Sequence, residues 1–110
     1  MGRLVKGEVV VVPYPFSDLS QTKRRPALVV AVLPGDDVIL CQMTSRMKSD
    51  PDAILIEANA FARGSLNQPG NVRPNRLFTA DSAIVLYSVG VLRSEVVNEV
   101  VEAIVRTLRR

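Results

Sequence analysis

The sequence predicts a small, mainly β protein in which five or six short strands form a barrel and one C-terminal α-helix follows. Short runs of valine, isoleucine and leucine, separated at close intervals by Gly, Pro and Asp, indicate the strands. One apolar stripe at helical spacing near the end of the chain indicates the helix. A chain of 110 residues has the length of one domain, so we expect residues 1–110 to fold as a single unit.

The first three expected strands carry most of the predicted core. The first, residues 8–14, has valine at four consecutive positions, so we expect both of its faces to be covered. Strands two and three, residues 26–33 and 38–44, flank a turn-forming segment and should pair as a hairpin. Pro26 lacks a backbone N–H and therefore suits the first position of its strand.

The second half of the chain is expected to add three strands and the helix. The expected strands are residues 52–57, 72–79 and 84–87, with Pro74 indicating an edge or a bulge, and residues 59–71 should be irregular or briefly helical. The helix is expected at residues 95–108, with Ser94 as its N-cap and Glu95 in its first turn. Its apolar stripe should pack on the core and consists of Val97, Val100, Val101, Ile104, Val105 and Leu108.

The composition excludes several kinds of site. The sequence contains no histidine, which rules out histidine acid–base catalysis and histidine-ligated metals. Its single cysteine, Cys41, can form neither an internal disulfide nor a cysteine metal cluster, so we expect no metal and no cofactor. Without a signal peptide or a long apolar run, the chain is expected to be cytoplasmic and to stay out of membranes. A net charge of +3 permits binding to nucleic acid without requiring it.

The strongest candidate site is the run Lys23-Arg24-Arg25, directly before Pro26. Proline favours extended geometry at the preceding residue, and the planar fork of an arginine matches the oxygens of a phosphate. The alternative is a solvated cationic turn. In the predicted hairpin, the start of strand two and the end of strand three lie close together. We therefore expect a phosphate-binding rim formed by Arg24, Arg25, Thr44, Ser45 and Arg46.

Two further features are compatible with a nucleic-acid ligand or with ordinary structure. Arg73-Pro74-Asn75-Arg76 either lines the same groove or is surface charge. The aromatic residues Tyr14, Phe16, Phe61 and Phe78 either stack on bases or belong to the core.

Taken together, these motifs resemble the MazF/PemK toxin family. The resemblance rests on Arg25-Pro26 before an aliphatic strand, Thr44-Ser45 after the next strand, and the segment Val72 to Asp81. It extends from Gly7 to Leu108. It implies an SH3-like barrel of the MazF/CcdB type, a homodimer, metal-independent and sequence-specific cleavage of single-stranded RNA such as mRNA, and a cognate antitoxin that occludes the site.

The resemblance also implies roles for individual residues. The family's key arginine and threonine fall on Arg25 and Thr44, which we expect to be catalytic. The residues expected to bind RNA are Ser20, Gln21, Thr22, Lys23, Arg24, Ser45, Arg46, Arg73, Asn75 and Arg76. The sequence departs from the family pattern in two places: Asn75 replaces an aspartate found in some relatives, and Leu19-Ser20-Gln21-Thr22 replaces a frequent Gly-Ser-Glu-Gln run.

The expected reaction is attack of the RNA 2′-hydroxyl on the adjacent phosphorus. Arg25 would stabilise charge on the phosphorane oxygens and Thr44 would hold a phosphate oxygen. The group that transfers the proton stays open, because arginine is a poor acid or base at neutral pH. Arg25 in a strained environment and water assisted by aspartates are both compatible with the sequence. A CcdB-like inhibitor without catalysis and an inactive RNA-binding relative are the alternative functions.

Overall fold

Seven antiparallel strands form one curled sheet, a half-barrel, in the computed structural model, which describes residues 3–15, 22–45 and 50–110. The strands are β1 (Glu8–Pro15), β2 (Thr22–Val32), β3 (Asp37–Thr44), β4 (Ile54–Ile56), β5 (Phe61–Gly64), β6 (Gly70–Asp81) and β7 (Tyr87–Leu92). Their order in the sheet is β4-β6-β3-β2-β1-β7-β5. The helix α1 (Ser94–Leu108) ends the chain. The predicted small β-barrel with a C-terminal helix is thus confirmed.

The central strands β1, β2 and β3 are buried on both faces. Because successive side chains of a strand point to opposite sides, these strands contribute to two separate apolar clusters. On one face, α1 covers an apolar cluster that we call the helix core. Its buried members are Val9, Leu28, Val30, Cys41, Met43, Ile56, Ala60, Val72, Leu92, Val97, Val100 and Ile104. The opposite face carries the second core, formed by Leu4, Val10, Val12, Ala27, Val29, Val38, Leu40 and Val85.

The expected coverage of both faces of β1 is therefore confirmed, but the chain itself provides it. Val9, Val10 and Val12 are fully buried within one protomer, and Val11 nearly so. β1 therefore leaves no apolar surface for a second copy of the chain to cover. Exposed apolar residues elsewhere include Leu86, directly before β7, and Leu108 at the end of α1.

Two elements begin at other residues than expected. β2 begins at Thr22, so Pro26 lies inside the strand and pairs with Val11 of β1. The missing N–H of Pro26 is tolerated because the ladder between β2 and β3 ends at the next residue, Ala27, and β2 is an edge strand before it. The N-cap of α1 is Arg93 and makes no side-chain cap hydrogen bond, so the expected cap at Ser94 is wrong.

The expected last strand was placed too early, and one strand was missed. Residues 82–84 form a short 3₁₀ turn and β7 begins at Tyr87, the residue at which we expected the strand to end. β5 lies within the stretch predicted to be irregular or briefly helical, after a 3₁₀ turn at Ala58–Ala60. It was missed because it is an edge strand of four residues with little apolar pattern, FARG.

The bulge indicated by Pro74 is present in β6. The register between β3 and β6 changes from Cys41↔Leu77 to Met43↔Val72, so residues 73–76 lie opposite the single residue Gln42. The whole segment that the sequence singled out as a second cationic stretch is therefore a bulge rather than regular strand. In the part of the chain that the structure describes, no helix is long and apolar enough to span a membrane.

Two glycines fix the contact between β5 and β7. Gly64 has a φ of +76°, and a Cβ there would lie 2.1 Å from the carbonyl oxygen of Val89. Gly90, its partner across the ladder, would place a Cβ 2.2 Å from the carbonyl oxygen of Arg63. Backbone approaches this close leave no space for a side chain on either strand.

We predict that Gly64→Ala destabilises the fold more than Gly35→Ala does. Both positions have positive φ, so both variants carry a backbone strain of about 1–2 kcal/mol. Gly35 has open space around its missing Cβ, whereas Gly64 would in addition force β5 away from β7. Urea unfolding at neutral pH measures both free energies of unfolding. Equal losses for the two variants would show that the close β5–β7 contact does not contribute to stability.

Candidate functional site

The register of β2 and β3 indicates that Arg25 and Thr44 belong to the same face of the sheet. The ladder between β2 and β3 ends at the pair Ala27↔Gln42. Continuing this register by two residues on each strand places Arg25 opposite Thr44, on the face of the second core. The Arg25 side chain is half-buried and its Nε atom lies in the interior.

Thr44 has a buried polar neighbour, Asn71, that the sequence analysis did not single out. The two residues are paired across β3 and β6, and the Asn71 side-chain amide donates to the Thr44 carbonyl oxygen at 3.5 Å. Thr44 is 6 % exposed and Asn71 is 4 % exposed. Polar side chains buried to this degree are normally fixed by hydrogen bonds. Asn71 therefore helps to hold the end of β3, and Thr44 with it, in place.

A groove of about 540 Å³ opens beside these residues. It is lined by Val11, Arg24, Arg25, Pro26, Ser45, Ser65, Leu66, Asn67, Gln68, Pro69, Gly70, Tyr87, Ser88 and Val89. Its size and its mixture of apolar and polar walls are typical of a ligand site. The groove thus joins part of the predicted rim, namely Arg24, Arg25 and Ser45, to residues of β7 and of the loop between β5 and β6.

The two arginines reach the groove from different faces of β2. Strand alternation places Arg24 on the face of Pro26, and Pro26 is paired with Val11, which also lines the groove. Arg25 belongs to the face of Ala27 and Val12. Two adjacent guanidinium groups therefore flank the end of the same strand from both sides. This arrangement suits a chain of several phosphates better than a single anion.

Arg73, the expected second RNA-binding arginine, forms a buried ion pair instead. Its Nε donates to Asp50 Oδ2 at 3.0 Å, and the two side chains are 14 % and 4 % exposed. Asp50 also accepts the Asp52 N–H at 3.0 Å. Burial by itself raises the pKa of Asp50, but these hydrogen bonds and the charges of Arg73 and Arg110 outweigh it and leave the pKa lowered. Arg73 therefore stabilises the fold and does not line the groove.

The other expected RNA-binding residues fall into three groups. Asn75 and Arg76 are exposed in the β6 bulge and are not part of the groove. Lys23 is exposed on β2, and Ser45 is exposed and lines the groove. Ser20, Gln21 and Arg46 lie outside the described residues, and of Thr22 only the backbone, at the start of β2, is described.

One side of the groove carries no residue predicted from the sequence. Tyr87, Ser88 and the loop of residues 65–69 were not considered as site residues. Tyr87 was overlooked because the expected strand ended there, and the loop because neither its composition nor its spacing resembles a known site. Of the aromatic residues that were considered, Phe61 packs against the helix core and Phe78 against the second core. Tyr14 and Phe16 lie where the structure describes no side chain.

Two further titratable side chains, those of Cys41 and Asp52, make structural contacts. Cys41 is buried in the helix core, its Sγ donates to the Arg73 carbonyl oxygen at 3.0 Å, and burial raises its pKa to about 12. Asp52 pairs with Arg110 at 2.7 Å and ties the end of α1 to the start of β4. The described residues contain no group of three or more Cys, Asp or Glu side chains placed to hold a metal ion.

Comparison with known proteins gives the same fold and a family. The family described as "PemK-like, MazF-like toxin of type II toxin-antitoxin system" matches residues 5–108. No curated protein sequence matches the chain significantly. Among solved structures, MazE–MazF from Deinococcus radiodurans is 20 % identical with a TM-score of 0.79, covering 99 % of this chain and 98 % of that one.

Two mycobacterial structures are also similar. The Mycobacterium tuberculosis toxin MazF-mt6 is 18 % identical with a TM-score of 0.72, covering 93 % of this chain and 96 % of that one. An endoribonuclease in complex with its cognate antitoxin, from a mycobacterial species, is 17 % identical with a TM-score of 0.72, covering 99 % and 96 %. At these identities, the likeness to solved structures shows the fold.

We predict that Asp50→Asn destabilises the protein by about 3 kcal/mol at pH 7, because it leaves the Arg73 charge buried without its counter-ion. Asp52→Asn is the matched control and should cost no more than about 1 kcal/mol, since Arg110 is mostly exposed. Urea unfolding measures both.

The same variant should change the response to acid. A carboxyl group whose pKa is lowered by folding stabilises the protein above its unfolded pKa, about 3.9. That contribution is lost as the pH falls through the lower folded pKa. The difference in stability between wild type and Asp50→Asn should therefore shrink below about pH 4. A difference that stays constant down to pH 3 would contradict the assigned role of Asp50.

Proposed function

The chain belongs to the PemK-like, MazF-like family of type II toxin–antitoxin toxins, and on that premise we propose that it is an endoribonuclease toxin. Its substrate would be single-stranded RNA, mRNA in particular, which it cuts at defined sequences. The observation that carries the proposal is a groove lined by two arginines, Arg24 and Arg25. The register of β2 and β3, continued by two residues, sets Thr44 opposite Arg25. An endoribonuclease with an antitoxin among the similar structures supports the same reading.

The proposed chemistry is transesterification by the RNA's own 2′-hydroxyl. Attack on phosphorus places extra negative charge on the phosphorane oxygens, and a fixed donor stabilises the transition state most if it does not have to reorganise. Arg25 meets this requirement because it is half-buried on a strand whose register two apolar cores fix. Thr44 would hold a phosphate oxygen through its hydroxyl group, at the end of β3.

Proton transfer is assigned to solvent water at the site rather than to a carboxylate. Asp50 is held by Arg73, and Asp52 by Arg110, so neither is available to act as a base in the groove. The sequence has no histidine, and Asn75 stands where some relatives have an acid. Support for cleavage without a metal ion comes from the donor set, since the described residues that line the groove offer cations, hydroxyls and amides and no carboxylates.

We also propose a homodimer and a cognate antitoxin. A toxin of this kind has to be neutralised in the cytoplasm that contains its mRNA substrate. The net charge of +3 suits an acidic partner, and a MazE–MazF complex is among the similar structures. Candidate dimer surfaces are the exposed apolar residues Leu86 and Leu108.

For the homodimer, we predict a species of twice the 12.0 kDa chain mass in sedimentation velocity at micromolar concentration. A monomer alone under these conditions would contradict the proposed assembly. The expected antitoxin is a short acidic protein whose gene lies next to the gene of this chain. Adding it should shift the sedimenting species to a larger mass. Co-expressing it with the chain should restore cell growth.

For catalysis, we predict that Arg25→Ala lowers single-turnover cleavage in EDTA by about 10²–10³-fold, because one transition-state donor is lost. Arg25→Lys should rescue little, since a point charge cannot reproduce the planar fork. Thr44→Val, which is nearly isosteric at a buried position, should also lose rate, and Thr44→Ser should keep most of it. Arg24→Ala should weaken RNA binding modestly and leave the rate at saturating protein near wild type.

The outcomes separate the alternative functions. Near wild-type cleavage by Arg25→Ala would remove this residue from the mechanism. Wild-type protein that binds RNA without cutting a broad panel would favour an inactive RNA-binding relative. Growth inhibition with neither RNA binding nor cleavage would favour a CcdB-like inhibitor.

A further inference from the structure

The floor of the groove is a row of three side chains on adjacent strands. Val11 of β1 is paired with Pro26 of β2 on one side and with Tyr87 of β7 on the other. Directly opposed residues of antiparallel strands share a face and lie in contact range. All three line the groove. The row is apolar and ends in an aromatic ring.

Tyr87 is placed unlike the other aromatic residues that the structure describes. Phe61 and Phe78 pack against the two cores, whereas Tyr87 belongs to neither and is 46 % exposed. It is the first residue of β7 and is paired with Val11 of β1, so its backbone is held in the sheet although its ring is open to solvent. An uncovered, rigidly mounted ring at the end of an apolar floor is a stacking surface.

The loop of residues 65–69 forms the wall beside this ring. The Ser65 N–H donates to the Val89 carbonyl oxygen at 3.2 Å, and Leu66 packs against the helix core. These contacts anchor the start of the loop, while Asn67 and Gln68 are exposed and line the groove. Their side-chain amides offer both donors and acceptors, the chemistry that reads the edge of a base.

Arg24 completes the arrangement on the same face of the sheet. It lies two residues from Pro26 on β2, so alternation places it at the opposite end of the floor from Tyr87. The groove therefore offers a phosphate-binding cation, an apolar floor, an aromatic ring and two amides. No single small anion would use all four features, whereas one nucleotide of a single strand does.

We propose that Tyr87 is a positioning residue that stacks on one unpaired base of the RNA, and that Asn67 and Gln68 read the edge of that base. This inference rests on the proposed function and adds to it the element that selects the base. The close contact of Gly64 with Gly90 supports this role, because it holds the start of the loop of residues 65–69 next to β7.

Binding to RNA that cannot be cut tests this without depending on cleavage. Single-stranded 2′-O-methyl oligonucleotides lack the attacking hydroxyl. The tightest-bound sequence is selected from a randomised pool and labelled for fluorescence anisotropy. Tyr87→Leu should weaken its binding by about 5- to 150-fold, the range for losing one base–aromatic stack, whereas Tyr87→Phe should bind like wild type. Leu55→Ala is the matched control, since Leu55 of β4 is similarly exposed and does not line the groove.

Two readouts separate stacking from a loss of charge or of fold. Stacking carries no counterion release, so Tyr87→Leu should keep the wild-type dependence of affinity on salt, while Arg24→Ala should reduce the slope by about 0.7. An abasic residue at the stacked position should weaken wild-type binding and should make no difference to Tyr87→Leu. Replacing Asn67 and Gln68 with alanine should relax the base preference at that same position.

Three outcomes would overturn the inference, and they show whether the proposed endoribonuclease function fails with it. If wild type cleaves RNA and Tyr87→Leu binds and cleaves equally well, the stacking role is wrong and the endoribonuclease stands. If Tyr87→Leu instead changes the sedimentation of the chain alone or with its antitoxin, the ring belongs to a protein interface. If wild type binds no oligonucleotide of the pool, both the inference and the RNA substrate are wrong.

Discussion

Burial of β1, β2 and β3 on both faces is the constraint on which the rest of the structure depends. Because side chains alternate along a strand, a slip of one residue would exchange the helix core with the second core. Val9 and Val10, for example, would have to change places between a surface covered by α1 and one that is not. The register of these strands is therefore fixed, and with it the face on which every polar residue at their ends lies.

The candidate site inherits its geometry from this register. Arg25 faces the same side as Thr44 since both continue the second-core face of β2 and β3. Arg24 faces the other side and shares it with Val11 and Tyr87. A site that is positioned by core packing tolerates substitution of its polar side chains, which is why the rim variants are expected to keep the fold.

Bulges in the strands affect which residues lie at the groove. The bulge at residues 73–76 removes Arg73 from a regular strand position, and Asp50 fixes it in a buried ion pair. A second irregularity, between Val9 and Val10 in the ladder with β7, accompanies the approach of Gly64 to Gly90 and the loop that follows. Bulges of this kind redirect side chains and commonly lie next to functional sites. Here one bulge removes a charge from the groove, and the other lies beside the loop that forms its wall.

The sequence by itself determined the strands β1 to β3, the hairpin of β2 and β3, and the helix, and it predicts the opposition of Arg25 to Thr44. These follow from local patterns of burial and from the short connection between two paired strands. Only the tertiary structure decided that Arg73 pairs with Asp50 and that Tyr87 lines the same groove as Arg24. Tyr87 and Arg24 are distant in sequence and share the groove because β1 pairs with both of their strands. Such non-local pairing depends on how the whole sheet packs, which no local pattern encodes.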